Sequence, residues 1–202
     1  MLTSLGILPE GAFLNLVSLK PKLCLAVRTL LALLTTSICF LAPAAADRGP
    51  EIPGPEYRLK LFHTHTGERL DIVYRRGDQY LPDALQRLDY FLRDHRTGDV
   101  RHYDPRVFDL LQDLRARVSG PDSEVDVICG YRTPWSNEFL RKQGHGVARN
   151  SLHMQAMAID IRIPGVAIST LRDAALALNR GGVGYYADSQ FVHVDVGPVR
   201  HW

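Results

Sequence analysis

Residues 151–163, SLHMQAMAIDIRI, decide the fold around which the rest of the chain is arranged. The last six residues alternate isoleucine with another residue. This predicts a β-strand with Asp160 on the same side as Ala158 and Arg162. A carboxylate set between isoleucines is costly to bury without a partner. The closest candidate partner is His153, which the pattern places in the loop that leads into this strand.

A second strand with the same property lies near the C-terminus, in residues 191–196, FVHVDV. His193 stands between two valines, and Asp195, two residues on, shares its face of the strand. Taken singly, each group is more simply a loop histidine or an ion-paired carboxylate. Three buried ionisable groups, His153, Asp160 and His193, are better explained by one shared cation than by three unrelated pairings.

These three residues are predicted to be the protein ligands of a catalytic zinc ion. Two imidazoles and a carboxylate suit Zn²⁺, and three ligands leave the fourth tetrahedral position for water. Water bound in this way ionises near neutral pH and can attack a carbonyl group.

The N-terminus has the pattern of a secretory signal peptide. Basic residues lie within 20–28, an apolar run follows in 29–41, and 42–46 read APAAA. This order predicts cleavage after Ala46 and no permanent membrane anchor. The alternative is an uncleaved anchor, for which the apolar run is short. Residues 47–56, rich in proline and glycine, are predicted to be a linker, followed by one domain over 57–202.

Export would also change the charge of the chain. It has 24 basic and 22 acidic residues, and without residues 1–46 it keeps 21 of each. The charge balance of the exported chain therefore gives no indication that it binds nucleic acid. The one cysteine that remains, Cys129, lies in an apolar run and is expected to be a buried, inert thiol.

The remaining elements predict an α+β fold, with a central, mostly antiparallel sheet, helices packed on one side and the zinc site on the sheet face. His63 and His65 form a His-x-His pair at a predicted hairpin end. They could be a metal pair, but a polar hairpin end is favoured because no carboxylate motif accompanies them. The predicted strands are 57–62, 70–74, 125–129, 158–163, 183–186 and 191–196, and the predicted helices begin near Pro82, Pro105, Thr133 and Ile168.

Four ordered motifs within 57–202 resemble the zinc peptidases related to murein endopeptidase K. These belong to the wider group of D-Ala-D-Ala metallopeptidases, lysostaphin and the hedgehog signalling domain. The motifs are GYRT at 130–133, NSLHMQAMAIDIR at 150–162, GGVGYY at 181–186 and FVHVDVG at 191–197.

The resemblance implies zinc as the cofactor, the same three ligands, and peptidoglycan stem peptides as substrate in the periplasm. Arg132 falls where relatives hold substrate or the developing oxyanion, and Ser151 falls beside the first ligand. A tyrosine from Tyr185 and Tyr186 is a further candidate for substrate binding.

One position departs from the pattern of these relatives, namely the general base. Gln190 stands where some relatives have glutamate, and Phe191 stands where others have histidine. The base must therefore come from elsewhere. Asp195 is the first candidate, as the base or as the group that orients an imidazole, and His145 is the second.

The expected function is that of a periplasmic, zinc-dependent murein endopeptidase. Two alternatives stay open at this point. One is a non-enzymatic zinc module that binds cell wall or a partner protein, and the other is a D-alanyl carboxypeptidase. Nothing in the pattern points to a particular oligomeric state.

Overall fold

A computed structural model describes residues 53–120, 122–144 and 146–202. The chain divides after Pro50, and every described residue belongs to the second unit, Glu51–Trp202. The predicted signal peptide, residues 1–46, and residues 47–52 of the predicted linker lie outside the described part.

The described residues form one open, mixed sheet of eight strands, in the order β3-β2-β1-β4-β5-β7-β6-β8. Only the β1–β4 and β6–β8 pairs are parallel, so the predicted, mostly antiparallel sheet is confirmed. The two-residue strands β3 and β8 were not predicted. The strands are β1 (Glu56–His63), β2 (Arg69–Arg76), β3 (Gln79–Tyr80), β4 (Val125–Cys129), β5 (Ala158–Arg162), β6 (Gly182–Tyr186), β7 (Phe191–Asp195) and β8 (Arg200–His201).

Four helices occur in the described residues, which confirms the α+β class. They are α1 (Pro82–Phe91), α2 (Arg106–Val118), α3 (Pro134–Lys142) and α4 (Ile168–Leu178). Helix α1 packs on β2, α2 on β1, and α4 on β6 and β7. None of the helices in this part of the chain is long and apolar enough to cross a bilayer.

The alternation of β5 and β7 separates the core from the site. Ile159, Ile161, Val192 and Val194 are almost completely buried in the hydrophobic core. Their neighbours along the strands point to the other face, because successive side chains in a strand alternate. A slip of one residue in register would exchange the two sets, so burial of the apolar set fixes the position of the polar set.

Strand register then sets one row of side chains across the sheet. Asp160 lies opposite Cys129 of β4 on one side and opposite His193 of β7 on the other. His193 in turn lies opposite Gly184 of β6. Three adjacent strands therefore deliver a thiol, a carboxylate and an imidazole side by side.

Three histidines lie close together at the C-terminal end of β1, where His63 and His65 were predicted to form a polar hairpin end. The loop after α1 adds His95, whose ring stacks on that of His65 with 4.1 Å between centroids and 8° between planes. The rings of His63 and His65 themselves meet edge to face, 6.1 Å apart, and His63 Nδ1 accepts the His65 backbone N–H at 3.3 Å. Among the described residues, no group of three or more possible metal ligands includes this pair, so the metal-pair alternative gains no support. His63 is fully buried, and its Nε2 atom has no hydrogen-bond partner among the described residues.

This burial should make the protein acid-sensitive. Burial lowers the pKa of His63 to about 4, below the value of about 6.5 for an unfolded histidine. Between these values the unfolded state binds more protons, so the free energy of unfolding should fall as the pH drops through 6.5 and level off below about 4. We expect His63→Asn to lose less stability over this range than the wild type, as measured by urea unfolding at a series of pH values.

The matched control is His201→Asn, which replaces an exposed histidine in β8. It should keep the pH dependence of the wild type. If His63→Asn and the wild type lost the same stability on acidification, the buried, neutral state of His63 would be wrong.

Candidate metal centre

Three ligand atoms from three segments converge at the site. His153 Nε2 lies 3.1 Å from Asp160 Oδ1 and 3.1 Å from His193 Nδ1, and His193 Nδ1 lies 2.9 Å from Asp160 Oδ1. All three side chains are buried. The structure therefore brings together the three residues that the sequence predicted as metal ligands.

The outer nitrogen of each imidazole has a fixed hydrogen-bond acceptor. His153 Nδ1 lies 2.8 Å from the Gly130 carbonyl oxygen, and His193 Nε2 lies 3.1 Å from Asp195 Oδ2. A carbonyl and an ionised carboxylate can only accept, so each outer nitrogen carries the hydrogen. The inner nitrogens are then left with lone pairs directed at the carboxylate of Asp160.

Two lone pairs and a carboxylate oxygen within about 3 Å repel one another unless a cation lies between them. Burial by itself would lower the pKa of His153, but the adjacent Asp160 carboxylate outweighs it and raises that pKa. The site therefore attracts positive charge. A proton can meet this demand at one atom, whereas a metal ion meets it at all three atoms together.

The separations fit a tetrahedral zinc ion. Ligand atoms placed about 2.0–2.2 Å from zinc at tetrahedral angles lie about 3.3–3.5 Å apart. The observed separations of 2.9–3.1 Å reach this range with small side-chain shifts. The outer hydrogen bonds to a carbonyl and a carboxylate are also those that zinc-bound histidines usually make.

The Cys129 thiol offers a competing ligand set, since it lies within 4.8 Å of the ligand atoms of His153 and Asp160. It is buried and unpaired, as predicted, but its position beside the triad was not foreseen. Arg132 Nη2 donates to its sulfur at 3.3 Å. The set with His193 is the better one, because its three atoms are closer together and its second imidazole is held from behind by Asp195.

Arg132 lies next to the triad, as predicted. Its guanidinium is buried, donates to Asn137 Oδ1 at 3.3 Å, and reaches to 3.7 Å from Asp160 Oδ2. Its Nε atom has no hydrogen-bond partner among the described residues. Ser151 also borders the groove, where its hydroxyl caps the 3₁₀ helix Leu152–Gln155 by accepting from the His153 backbone N–H. Ser151 thereby fixes the segment that carries the first ligand.

The two tyrosines of β6 face opposite sides of the sheet, so only one of these two candidates can border the groove. Tyr186 lines the groove, and its hydroxyl accepts a hydrogen bond from Trp202 Nε1 at 2.9 Å. Tyr185 packs against the core beneath the guanidinium of Arg172 and is not among the described residues that line the groove. Strand alternation makes the two positions mutually exclusive.

The C-terminal residues complete the site, and sequence reasoning missed them. Strand β8 pairs with β6 and carries Arg200 to the buried carboxylate of Asp195, with contacts of 2.7 and 3.2 Å. The Trp202 ring lies 5.2 Å from that of His193. A Cβ atom on Gly184 would come within 2.7 Å of the indole ring, so this glycine leaves room for it. The glycines of the GGVGYY motif were the sequence feature that could have indicated close packing of another segment against this strand.

Asp195 lies beneath His193 and not in the groove. Its carboxylate is fully buried and accepts hydrogen bonds from the backbone N–H groups of Gly182 and Gly197, both at 2.9 Å, as well as from Arg200 and His193. Burial alone would raise the pKa of Asp195, but these hydrogen bonds outweigh it and lower the pKa.

The triad opens into a groove of about 460 Å³. Among the described residues that line it, Asp160 is the only carboxylate. Gln190 is exposed in the turn between β6 and β7, and its side-chain amide donates to the Ala187 carbonyl. His145 lies outside the described residues, but Gln143 and Gly146, on either side of it in the sequence, both line the groove.

The chain is similar to known proteins over most of its length. The profile of a peptidase family described as peptidoglycan L,D-endopeptidase MepK matches residues 54–202. A probable peptidoglycan L,D-endopeptidase MepK of Haemophilus influenzae is 42% identical over 149 residues, which cover 73% of this chain and 80% of the relative. The peptidoglycan L,D-endopeptidase MepK of Escherichia coli K12 is 40% identical over 162 residues, which cover 80% and 88%.

The fold, the site and these matches define the chain as a metallopeptidase. It belongs to the peptidoglycan L,D-endopeptidase MepK family. The family resemblance predicted from the four motifs is thus confirmed.

The Asp195–Arg200 pair gives a stability prediction. Removing one partner of a buried ion pair leaves an uncompensated charge, and Arg200 remains partly exposed to solvent, which moderates the cost. We expect Arg200→Met to lower the free energy of unfolding by about 2 kcal/mol in chelator-treated protein, as measured by urea unfolding.

The control for this change is Arg69→Met, which removes an arginine from a solvent-exposed pair with Glu124. Such pairs contribute at most about 1 kcal/mol. Equal losses for the two variants would show that Asp195 does not depend on Arg200.

Proposed function

We propose that this protein is an exported, zinc-dependent endopeptidase that hydrolyses the peptide cross-links of peptidoglycan. The observation that carries the proposal is the convergence of His153, Asp160 and His193 on one point at the floor of a groove, in a chain of this family. The relatives named above are peptidoglycan L,D-endopeptidases, which supports the same class of substrate here.

His153, Asp160 and His193 would hold the zinc ion. When bound, zinc supplies a Lewis acid and makes water acidic enough to ionise near neutral pH. Three protein ligands, rather than four, would leave the ion a position for water, which is typical of a catalytic site and not of a structural one.

Arg132 is suited to hold the reacting carbonyl of the substrate. A buried guanidinium, fixed by Asn137 and lying 3.7 Å from a metal-ligand carboxylate, presents positive charge with little freedom to move. Charge that is already in place stabilises a developing oxyanion without reorganisation at the moment of reaction. Tyr186 and Ser151 form the neighbouring walls of the same groove and are proposed to contact the stem peptide.

Asp195 is proposed to orient His193, which favours the second of its two predicted roles. A general base must reach the substrate side of the metal and must be able to take a proton. Asp195 lies behind the imidazole, both of its oxygens are already engaged, and its pKa is lowered. It can keep the Nδ1 lone pair of His193 directed at the metal position.

His145 is then the proposed proton acceptor. Among the described residues, the groove offers no carboxylate other than the metal ligand Asp160. An imidazole has a pKa near neutrality and can take and release a proton at working pH. The sequence places His145 between two groove residues, Gln143 and Gly146.

Export to the periplasm is proposed from the signal-peptide pattern of residues 1–46, with cleavage after Ala46. The matched domain begins close to the predicted end of the linker, since the family profile starts at residue 54. Stem peptides of peptidoglycan would be the partner of residues 57–202.

The test of this function is mass spectrometry of cross-linked muropeptides incubated with the purified protein. We expect dimeric muropeptides to be cut to monomers by the zinc-loaded protein and to remain intact with chelator or with His153→Ala. The fragment masses identify the bond that is cut. Equal cleavage by the metal-free and metal-loaded proteins would contradict the zinc mechanism, and loss of a single D-alanine would identify a carboxypeptidase.

One observation favours a second function, a zinc module that binds cell wall without cutting it. No second carboxylate borders the groove among the described residues, so no carboxylate base is available there. The same experiment distinguishes the two functions. Intact muropeptides in the presence of a zinc-loaded protein that binds peptidoglycan would establish the binding module.

Replacing each of the two candidates for the general base should affect a different property, either zinc retention or kcat. Asp195→Asn removes the charge that orients His193 and should weaken zinc retention by about 10- to 100-fold. His145→Ala should keep zinc but lose about 100-fold or more in kcat. Zinc retention is measured by competition with a chromogenic chelator, and kcat is measured at saturating zinc.

A His145→Ala variant with wild-type kcat would exclude this residue as the base. An Asp195→Asn variant that retained zinc normally but lost kcat would return Asp195 to the role of base.

A further inference from the structure

The groove is rich in positive charge. Among the described residues that line it, the charged side chains outside the metal triad are Arg96, Arg132 and Arg200. Arg200 is committed to Asp195, and Arg132 to Asn137 and the Cys129 sulfur. Even without a metal ion, these groups outnumber the single carboxylate in the groove and favour an anionic ligand.

Arg96 differs from the other two in its contacts within the described part of the chain. Its side chain is exposed, and no hydrogen bond or ion pair joins the guanidinium to another described residue. A guanidinium presents five N–H donors in a planar fork that matches a carboxylate. At the edge of a substrate groove, such a group can recognise a free carboxylate of the ligand.

The backbone of Arg96 is built into the frame of the site. Asp94 is buried, and its Oδ1 atom accepts the Arg96 backbone N–H at 2.9 Å. The Oδ2 atom accepts both the backbone N–H and the hydroxyl of Thr133, each at 2.8 Å. Thr133 follows Arg132 in the chain. One buried carboxylate therefore fixes the segments that carry Arg96 and Arg132 relative to each other.

The two histidines next to Arg96 add no positive charge of their own near neutral pH. Burial, followed by the charge of Arg96, lowers the pKa of His65, and the same two causes lower the pKa of His95 to about 4. Both stacked imidazoles are therefore uncharged near neutral pH.

We propose that Arg96 forms a second anion-binding position of the groove, which binds a free carboxylate of the stem peptide while Arg132 serves the bond to be cut. This inference rests on the proposed function and adds a determinant of substrate choice to it. Because Asp94 fixes the two arginine segments together, the groove would select peptides by the spacing between a carboxylate and the scissile bond.

The test compares two cross-linked muropeptides that differ only in one group, a free stem-peptide carboxylate in one and the corresponding carboxamide in the other. We expect the wild type to favour the carboxylate form by about tenfold in KM, the size expected for a hydrogen bond to a charged group. Arg96→Met should bring this ratio close to one, and Arg96→Lys should restore part of it.

The matched control is Arg101→Met, which removes another exposed arginine, one that is not among the described groove residues. It should keep the tenfold preference of the wild type. A ratio in Arg96→Met equal to that of the wild type, or an equal fall for both arginine variants, would overturn the proposal.

Binding separates this inference from the proposed function. Titration calorimetry of the same two muropeptides into chelator-treated protein measures the preference for the carboxylate without any cleavage. A preference that depends on Arg96 supports the anion position even if the zinc-loaded protein cuts neither substrate, a result that would contradict the proposed function alone. Cleavage by the wild type without such a preference would contradict the anion position alone.

Discussion

One constraint governs the structure: the lone pairs of His153 and His193 and the carboxylate oxygen of Asp160 repel one another where they meet, and this repulsion has to be overcome. Two imidazole lone pairs and a carboxylate oxygen lie within 3.1 Å of one another, and each is supplied by a different segment. Positive charge shared among the three atoms would make this arrangement favourable in a buried place. The apolar faces of β5 and β7 hold the three groups together, because burial of Ile159, Ile161, Val192 and Val194 fixes the strand register.

Around this centre, hydrogen bonds and one ion pair fix the orientation of the polar groups. Arg200 neutralises Asp195, Asp195 holds the outer nitrogen of His193, and the Gly130 carbonyl holds that of His153. Such outer contacts set the tautomer and the direction of each ligand atom. Asp94 has a similar supporting role, since its carboxylate accepts hydrogen bonds from both the Arg96 loop and the start of helix α3. The site is thus supported by buried carboxylates that do not themselves face the substrate.

Membership of the MepK family and the convergence of His153, Asp160 and His193 both support the proposed chemistry. The general base is the point at which this chain departs from related zinc peptidases. Gln190 lies in an exposed turn, and Asp195 is buried behind His193, which is why His145 is the proposed proton acceptor. Among the described residues, the groove is lined by three arginines and one acidic side chain, Asp160, and this excess of positive charge supports the inference of an anionic peptide ligand.

The sequence by itself indicated the three residues that converge, because Asp160 and His193 stand between apolar residues in strands whose alternation can be read directly. It also determined the α+β class and the buried state of Cys129. Tertiary structure alone decided which tyrosine borders the groove, how Cys129 stands beside the triad, and that Arg96, Arg200 and Trp202 line the groove. The reason is physical: alternation along a strand is local, whereas pairing between strands and contacts between loops join residues that are far apart in the chain.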